Sequence, residues 1–243
     1  MSTVLEPVPS VPKVPASAGP TADHGAVSIP VAAMTWDGFR AWAKSGAFPE
    51  RGKVAYLGEE IFVDMSPERV NSHADLKGEL YFALRQLVRG TDQGFVYPDG
   101  LLVSNEAAQV ANEPDLVYVS RAAIAGGRAR FVPSADGRDF GELIGAPDLV
   151  AEVVSPSSVG KDYRQLRDRY HAAGIPEYWL FDALGDEVVF QILRHAPAGY
   201  EPVVPRDGWL ASAVLGREFR LDRRLDPVGL WQFTMHVRPT GAA

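Results

Sequence analysis

Cysteine is absent from this 243-residue chain, which excludes disulfides, iron–sulfur clusters and thiolate metal sites and fits a reducing cytoplasm. No apolar run approaches the ~18 residues a membrane helix needs, and no basic region followed by an apolar stretch opens the chain. The expectation is a soluble, cytoplasmic protein with no membrane partner. Positive charge is also in short supply. With 31 acids against 24 bases, the net charge of −7 argues against a general nucleic-acid coat or a membrane-surface protein. It leaves room for a metal-dependent nuclease, which concentrates acids at its site and needs only a local basic rim. A glycine-rich phosphate loop, an internal repeat and a Ser-His-Asp arrangement are missing as well.

What is present is a chain 46% hydrophobic, enough to bury one substantial core. Residues 1 to about 30 carry Pro7, Pro9, Pro12, Pro15, Pro20 and Pro30, and so cannot form a regular hydrogen-bonded ladder. They read as a disordered or extended arm before a single domain at 31–243. In that domain Thr35 is placed to cap a helix from Trp36 to Ser45, and Gly46 to end it. Short strands are expected at Val54–Leu57 and Ile61–Asp64, then a longer helix from about Arg69 to Val88 with Leu76, Leu80, Leu84 and Leu87 in its apolar stripe. Further strands are expected at Gly94–Tyr97, Leu101–Ser104, Asp115–Val119 and Asp148–Val154. A helix over about Gly160–Ala173 follows, stopped by Gly174 and Pro176. Glu177–Asp182 is a strand, and Glu187–Leu193 with Tyr200–Val204 a C-terminal hairpin whose aromatics suit a subunit interface, as in a homodimer. Strand, helix and strand across 148–182 make a parallel crossover among antiparallel neighbours, so the fold class is α/β or α+β with a mixed sheet flanked by helices.

Two acids stand out. Glu152 sits inside the apolar run Leu149–Val154, where an unpaired carboxylate costs several kcal/mol unless a cation, a hydrogen-bond network or an open cleft lies beside it. Asp115 opens a second β-branched run. Two carboxylates at one edge of a sheet suit a hard divalent cation that keeps water and substrate oxygens as its other ligands, and such a site suits phosphoryl transfer. Lys161 opens the helix beyond the Glu152 strand. There it either approaches a phosphate or pairs with Asp162 or Asp168. The arginines Arg121, Arg128, Arg130 and Arg138 form a candidate phosphate rim, while Tyr178, Trp179 and Phe181 read as core.

From Val54 to Ala183 the chain resembles the Uma-type group of predicted restriction endonucleases, within the PD-(D/E)xK nuclease superfamily. Four segments carry the likeness in the group's order: Asp64-Met65-Ser66-Pro67 with His73 and its helix, Pro114-Asp115, 146–158 from Ala146 to Ser158, and 170–182 from Tyr170 to Asp182. The resemblance implies a restriction-endonuclease-like core with a mixed four- or five-stranded sheet, a Mg²⁺ site in which Mn²⁺ substitutes, and DNA as substrate. It makes Asp115 and Glu152 the metal-binding acids and the Val153 carbonyl a further ligand, with Glu79, His73 and Gln165 as additional site residues. One departure matters. The lysine expected two residues after Glu152 is Val154, and the helix lysine common in the group is Leu166, so Lys161 is the replacement ammonium. The expected activity is magnesium-dependent hydrolysis of DNA phosphodiester bonds. A nuclease-fold binding or dimeric module without cleavage, and a hydrolase of smaller phosphoesters, stay open beside it.

Overall fold

The computed structural model describes residues 27–69, 73–134 and 137–241, so all but the end of the proline-rich arm lies outside the described residues. Helix α1 (Trp36–Ala43) begins where expected, with the Thr35 side chain accepting from the Gly38 N–H at 3.2 Å. It packs Trp36, Phe39 and Trp42 on Val54 and Tyr56.

The first of three sheets contains β1 (Lys53–Leu57), β2 (Glu60–Asp64), β4 (Leu102–Asn105), β5 (Val110–Asn112), β7 (Ala129–Pro133) and β8 (Phe140–Gly145), in the order β2-β1-β5-β4-β8-β7. Alternation along β1 sends Val54 and Tyr56 to α1, while Ala55 and Leu57 face the second sheet. Strands β7 and β8 were not anticipated, and β7 carries Arg130 of the candidate phosphate rim.

The second sheet places β3 (Gly94–Pro98), β6 (Leu116–Ser120), β9 (Leu149–Val153), β10 (Glu177–Asp182), β11 (Val189–Ala196) and β12 (Gly199–Pro202) in the order β12-β11-β10-β9-β6-β3. It is wider than the four or five strands anticipated. The crossover is as expected: β9 and β10 are parallel, with Glu152 opposite Leu180, and between them run a wide π-type turn (Lys161–Gln165) and helix α4 (Leu166–Ala172). Gly174 ends this helix at φ +75°, a left-handed conformation that glycine adopts without a Cβ penalty.

The two faces of this central sheet are covered differently. Val117, Val150, Tyr178 and Leu180 pack against the first sheet and α4, whereas Leu116, Leu149, Ala151 and Trp179 pack the other way. The second layer is helix α2 (Asp75–Thr91), whose Leu76, Leu80, Leu84 and Val88 recur every fourth residue and are buried. Burying each such side chain contributes about 1.5–3 kcal/mol. Before α2, a π-type turn at His73 and Ala74 bonds back to the Arg69 carbonyl at 3.1 Å, and residues 70–72 lie outside the described ones. A short helix α3 (Arg121–Ala125), capped by the Ser120 hydroxyl, was not anticipated.

A third sheet, β13 (Leu210–Ser212), β14 (Arg217–Leu225) and β15 (Trp231–Pro239), completes the layer beside α2 by burying Phe219, Phe233 and Met235. It lies beyond the hairpin expected to end the fold, and the hairpin's own Leu193 and Tyr200 are buried in the core. The outer edge of β15 meets α2. There the Phe233 N–H donates to Asp75 at 3.4 Å and the Met235 N–H to Glu79 at 2.7 Å.

Candidate active site

Strands β6 and β9 are antiparallel with Leu116 opposite Ala151, so the next step of the register brings Asp115 beside Glu152 and Val153. The Val153 N–H donates to Asp115 Oδ2 at 2.7 Å. Both carboxylates are at most 3% exposed and face the layer between the first sheet and the second, on the floor of a cavity of about 840 Å³. Its walls are segment 64–69 and the serine-rich turn 155–158.

Asp115 is held at both oxygens, Oδ2 by the Val153 N–H and Oδ1 by Lys53, whereas Glu152 is hydrogen-bonded through one. Glu152 Oε1 accepts from the Tyr170 hydroxyl at 2.8 Å and from Asn112 Nδ2 at 2.9 Å, so α4 and β5 fix it from either side. Its Oε2 lies 3.8 Å from Lys161 Nζ. Burial pushes Glu152 up to about 8. Lys161 pulls against that rise, and the charges of Asp115 and Asp162 add to it. Asp115 goes the other way. Burial would raise it, but Lys53 and Lys77 together outweigh that and hold its carboxyl well below the usual range.

Lys161 is itself buried. Its ammonium pairs with Asp162 at 2.6 Å and lies 5.5 Å from the centre of the Phe62 ring. Of the two readings open in the sequence, the structure shows the pairing with Asp162, and Glu152 lies just beyond. His73 Nε2 contacts the Val153 carbonyl at 2.8 Å and Nδ1 contacts Glu68 at 2.8 Å, so both are hydrogen bonds only when the ring carries two protons.

Of the residues singled out in the sequence, Asp115, Glu152, Val153, Lys161 and His73 converge. Glu79 and Gln165 do not. Glu79 faces away on α2 and terminates the edge of β15, because the helix packs on the opposite face of the sheet. Gln165 reaches outward to Glu60 at 3.0 Å. The arginine rim is also corrected. Arg128 binds the carbonyls of Ala146 and Pro147 at 2.8 and 3.0 Å, Arg121 pairs with Asp92, and none of the four arginines lines the cavity. Asp162 is where its pairing with Lys161 was expected. Unforeseen members are Lys53, Lys77, Asn112 and Tyr170. Tyr170 lies within a quoted motif, whereas nothing local marked Lys53.

Among the described residues, no three His, Asp or Glu side chains converge as an all-protein metal cage. The donor set is two carboxylates and a carbonyl, the sparse oxygen set that suits a hard cation retaining water. Two features fit such an ion. The deeply buried Glu152 lacks enough positive charge to ionise readily, and Asp115 Oδ1 already draws the ammonium groups of Lys53 and Lys77.

The architecture and site define a mixed-sheet α+β protein with an acidic pocket at the seam of two antiparallel strands. A solved structure described as a putative nuclease belonging to DUF820 from Anabaena variabilis superposes with a TM-score of 0.54, at 16% identity, over 74% of this chain and 89% of that one. The chain belongs to the Uma2 family, described as "Putative restriction endonuclease", whose model matches residues 36–224. No curated protein matches. No helix among the described residues is long and apolar enough to cross a membrane.

Proposed function

We propose that this protein is a Mg²⁺-dependent endonuclease that hydrolyses DNA phosphodiester bonds, with Mn²⁺ able to substitute. The observation that carries the reading is the pairing of Asp115 and Glu152 across β6 and β9, with the Val153 carbonyl beside them, on the floor of a cavity in a chain of this family. Asp115, Glu152 and the Val153 carbonyl would hold the ion. When bound, it would polarise a phosphate oxygen and lower the pKa of an attacking water.

The chain's own groups supply the rest. Tyr170 and Asn112 occupy Glu152 Oε1 and leave Oε2 for the cation. The Val153 N–H occupies Asp115 Oδ2, and Oδ1 faces the pocket, where the Lys53 and Lys77 ammonium groups stand at the place an ion would take. Lys161 places a positive charge beside Glu152 and favours its ionised form. In the reaction a water oxygen bonds to phosphorus, the bond to the leaving oxygen breaks, the attacking water gives up a proton to solvent, and the leaving oxygen takes one up.

The test is plasmid cleavage by purified protein. Cleavage with Mg²⁺ by the wild type, lost in the combined Asp115→Ala and Glu152→Ala variant, supports the assignment, and cleavage that survives both changes refutes it. A second reading, a nuclease-fold module without turnover, is favoured by one observation. Val154 and Leu166, at the two lysine positions, are fully buried in the core, so neither position offers a polar group. Mn²⁺ binding by calorimetry together with no cleavage would favour it.

A further inference from the structure

We propose that Lys53 and Lys77 form a two-ammonium seat for one substrate phosphate, supplying the cationic half of the site that Val154 and Leu166 leave out. The proposal rests on the phosphodiesterase reading of the pocket and adds residues from two elements that contribute no acid to its floor. Lys53 opens β1 in the first sheet. Lys77 lies on the first turn of α2, on the opposite side of the central sheet. Their ammonium groups nevertheless meet at one atom, Asp115 Oδ1, with Lys77 3.3 Å from it and Lys53 in direct hydrogen-bond contact. Both also reach Asp99, Lys53 at 3.4 Å, and Lys77 contacts Glu68 at 2.5 Å.

Bringing two like charges to one oxygen is unfavourable in itself, and packing alone does not call for it. Three carboxylates hold the pair in place, two of them, Asp99 and Glu68, on exposed, rotatable side chains. A cation on Asp115 takes up the charge of the single buried partner the lysines share. The two ammoniums would then keep only Asp99 and Glu68 as partners, exposed side chains on the cavity wall that can turn away, with Lys53 lining the cavity and Lys77 beside it. A phosphate with two anionic non-bridging oxygens matches that spacing and charge, and a lysine serves such a group as a point charge. Lys161 cannot take this part. It is nearly inaccessible and already paired, whereas the Lys53 side chain is 26% exposed.

The experiment uses the full chain and its Lys53→Met, Lys77→Met and Lys53→Arg variants. A short fluorescent DNA oligonucleotide is titrated in Ca²⁺ to hold turnover off, and Mn²⁺ affinity is measured separately by calorimetry. Each methionine variant is expected to weaken oligonucleotide binding roughly tenfold or more and to make the salt dependence shallower by about 0.7–0.9 in log–log slope. Mn²⁺ affinity stays the same or tightens, because a competing cation has left Asp115, and Lys53→Arg restores DNA binding. With Mg²⁺, turnover in the methionine variants falls on the order of 10²-fold. Wild-type DNA affinity and slope in both methionine variants overturn the seat. So does joint loss of Mn²⁺ and DNA binding, which would mean that the lysines only shape Asp115. A wild type that binds no DNA overturns it as well. A wild type that binds but does not cut refutes the nuclease reading alone, since the binding shifts still decide the seat.

Discussion

Replacing Lys161 with methionine should destabilise the protein severely, in a way that one compensating change repairs. The ammonium lies 2.6 Å from Asp162 and 3.8 Å from Glu152, and all three side chains are at most 2% exposed. Methionine keeps most of the apolar stem but lacks the ammonium, leaving buried carboxylates without their cation and its hydrogen bonds. Losing one partner of such a buried pair costs about 3–5 kcal/mol, because the remaining charge is desolvated and unmatched. With a urea m-value of about 2–3 kcal/mol/M for a domain of this size, a 3 kcal/mol loss lowers the unfolding midpoint by about 1–1.5 M. Adding Asp162→Asn removes the stranded charge, so the double variant should recover about 2 kcal/mol, read as a coupling energy in a double-mutant cycle. The pH dependence has a definite sign. Burial raises Asp162 and Glu152 in the folded state, and loss of Lys161 raises them further, so the folded variant binds protons more tightly than the unfolded chain. Its stability therefore falls as pH rises from about 5 to 9, more steeply than that of the wild type. A single-variant loss below about 1 kcal/mol, with no measurable coupling to Asp162, would refute the claim that this cation neutralises the floor of the site.

Glu142, fully buried on β8, accepts from Arg40 at 2.6 Å and from Lys44 at 3.0 Å. Burial alone would raise its pKa, but Arg40, Ser104 and Lys44 hold it below the usual value, so the network stabilises above about pH 4.5 and fades as pH falls through the depressed folded value. Glu142→Gln should cost about 2 kcal/mol at pH 7 in chemical denaturation, with the gap to wild type narrowing in acid. Glu79→Ala should cost about 1 kcal/mol by freeing the Met235 N–H, and Mn²⁺ calorimetry should be unchanged. A lost metal signal would return Glu79 to the site. Trp179→Ala, removing a fully buried ring 4.8 Å from Phe219 and the donor to Glu177, should cost about 3–5 kcal/mol by thermal or urea unfolding.

Much of the centre of the fold was readable because its signals are local. The run Leu149–Val154, the glycine stop at Gly174 and the strand Glu177–Asp182 each carry their own pattern, and together they specify the crossover. The acid pair was readable for the same reason, since Glu152 sits inside one apolar run and Asp115 opens another. The cationic residues were not. Lys53 meets Asp115 across 62 positions of sequence, between strands of different sheets, and only the packing of those sheets brings them together. β8 was hidden by Gly141, Glu142 and Gly145, which weaken strand propensity, and its core glutamate makes sense only once Arg40 and Lys44 are beside it. The third sheet is a different case. Phe233, Met235 and Val237 alternate along β15, and a two-residue period was there to be read.

The junction of α2 with the edge of β15 bears on the behaviour of the chain at high concentration. A nine-residue outer strand offers its free N–H groups to any other chain, but here Asp75 and Glu79 already accept two of them and line that edge with negative charge. Protection against self-association therefore depends on the helix staying folded. Loosening the first turns of α2, the same turns that bring Lys77 to Asp115, would expose an adhesive strand, so damage there would first be seen as aggregation.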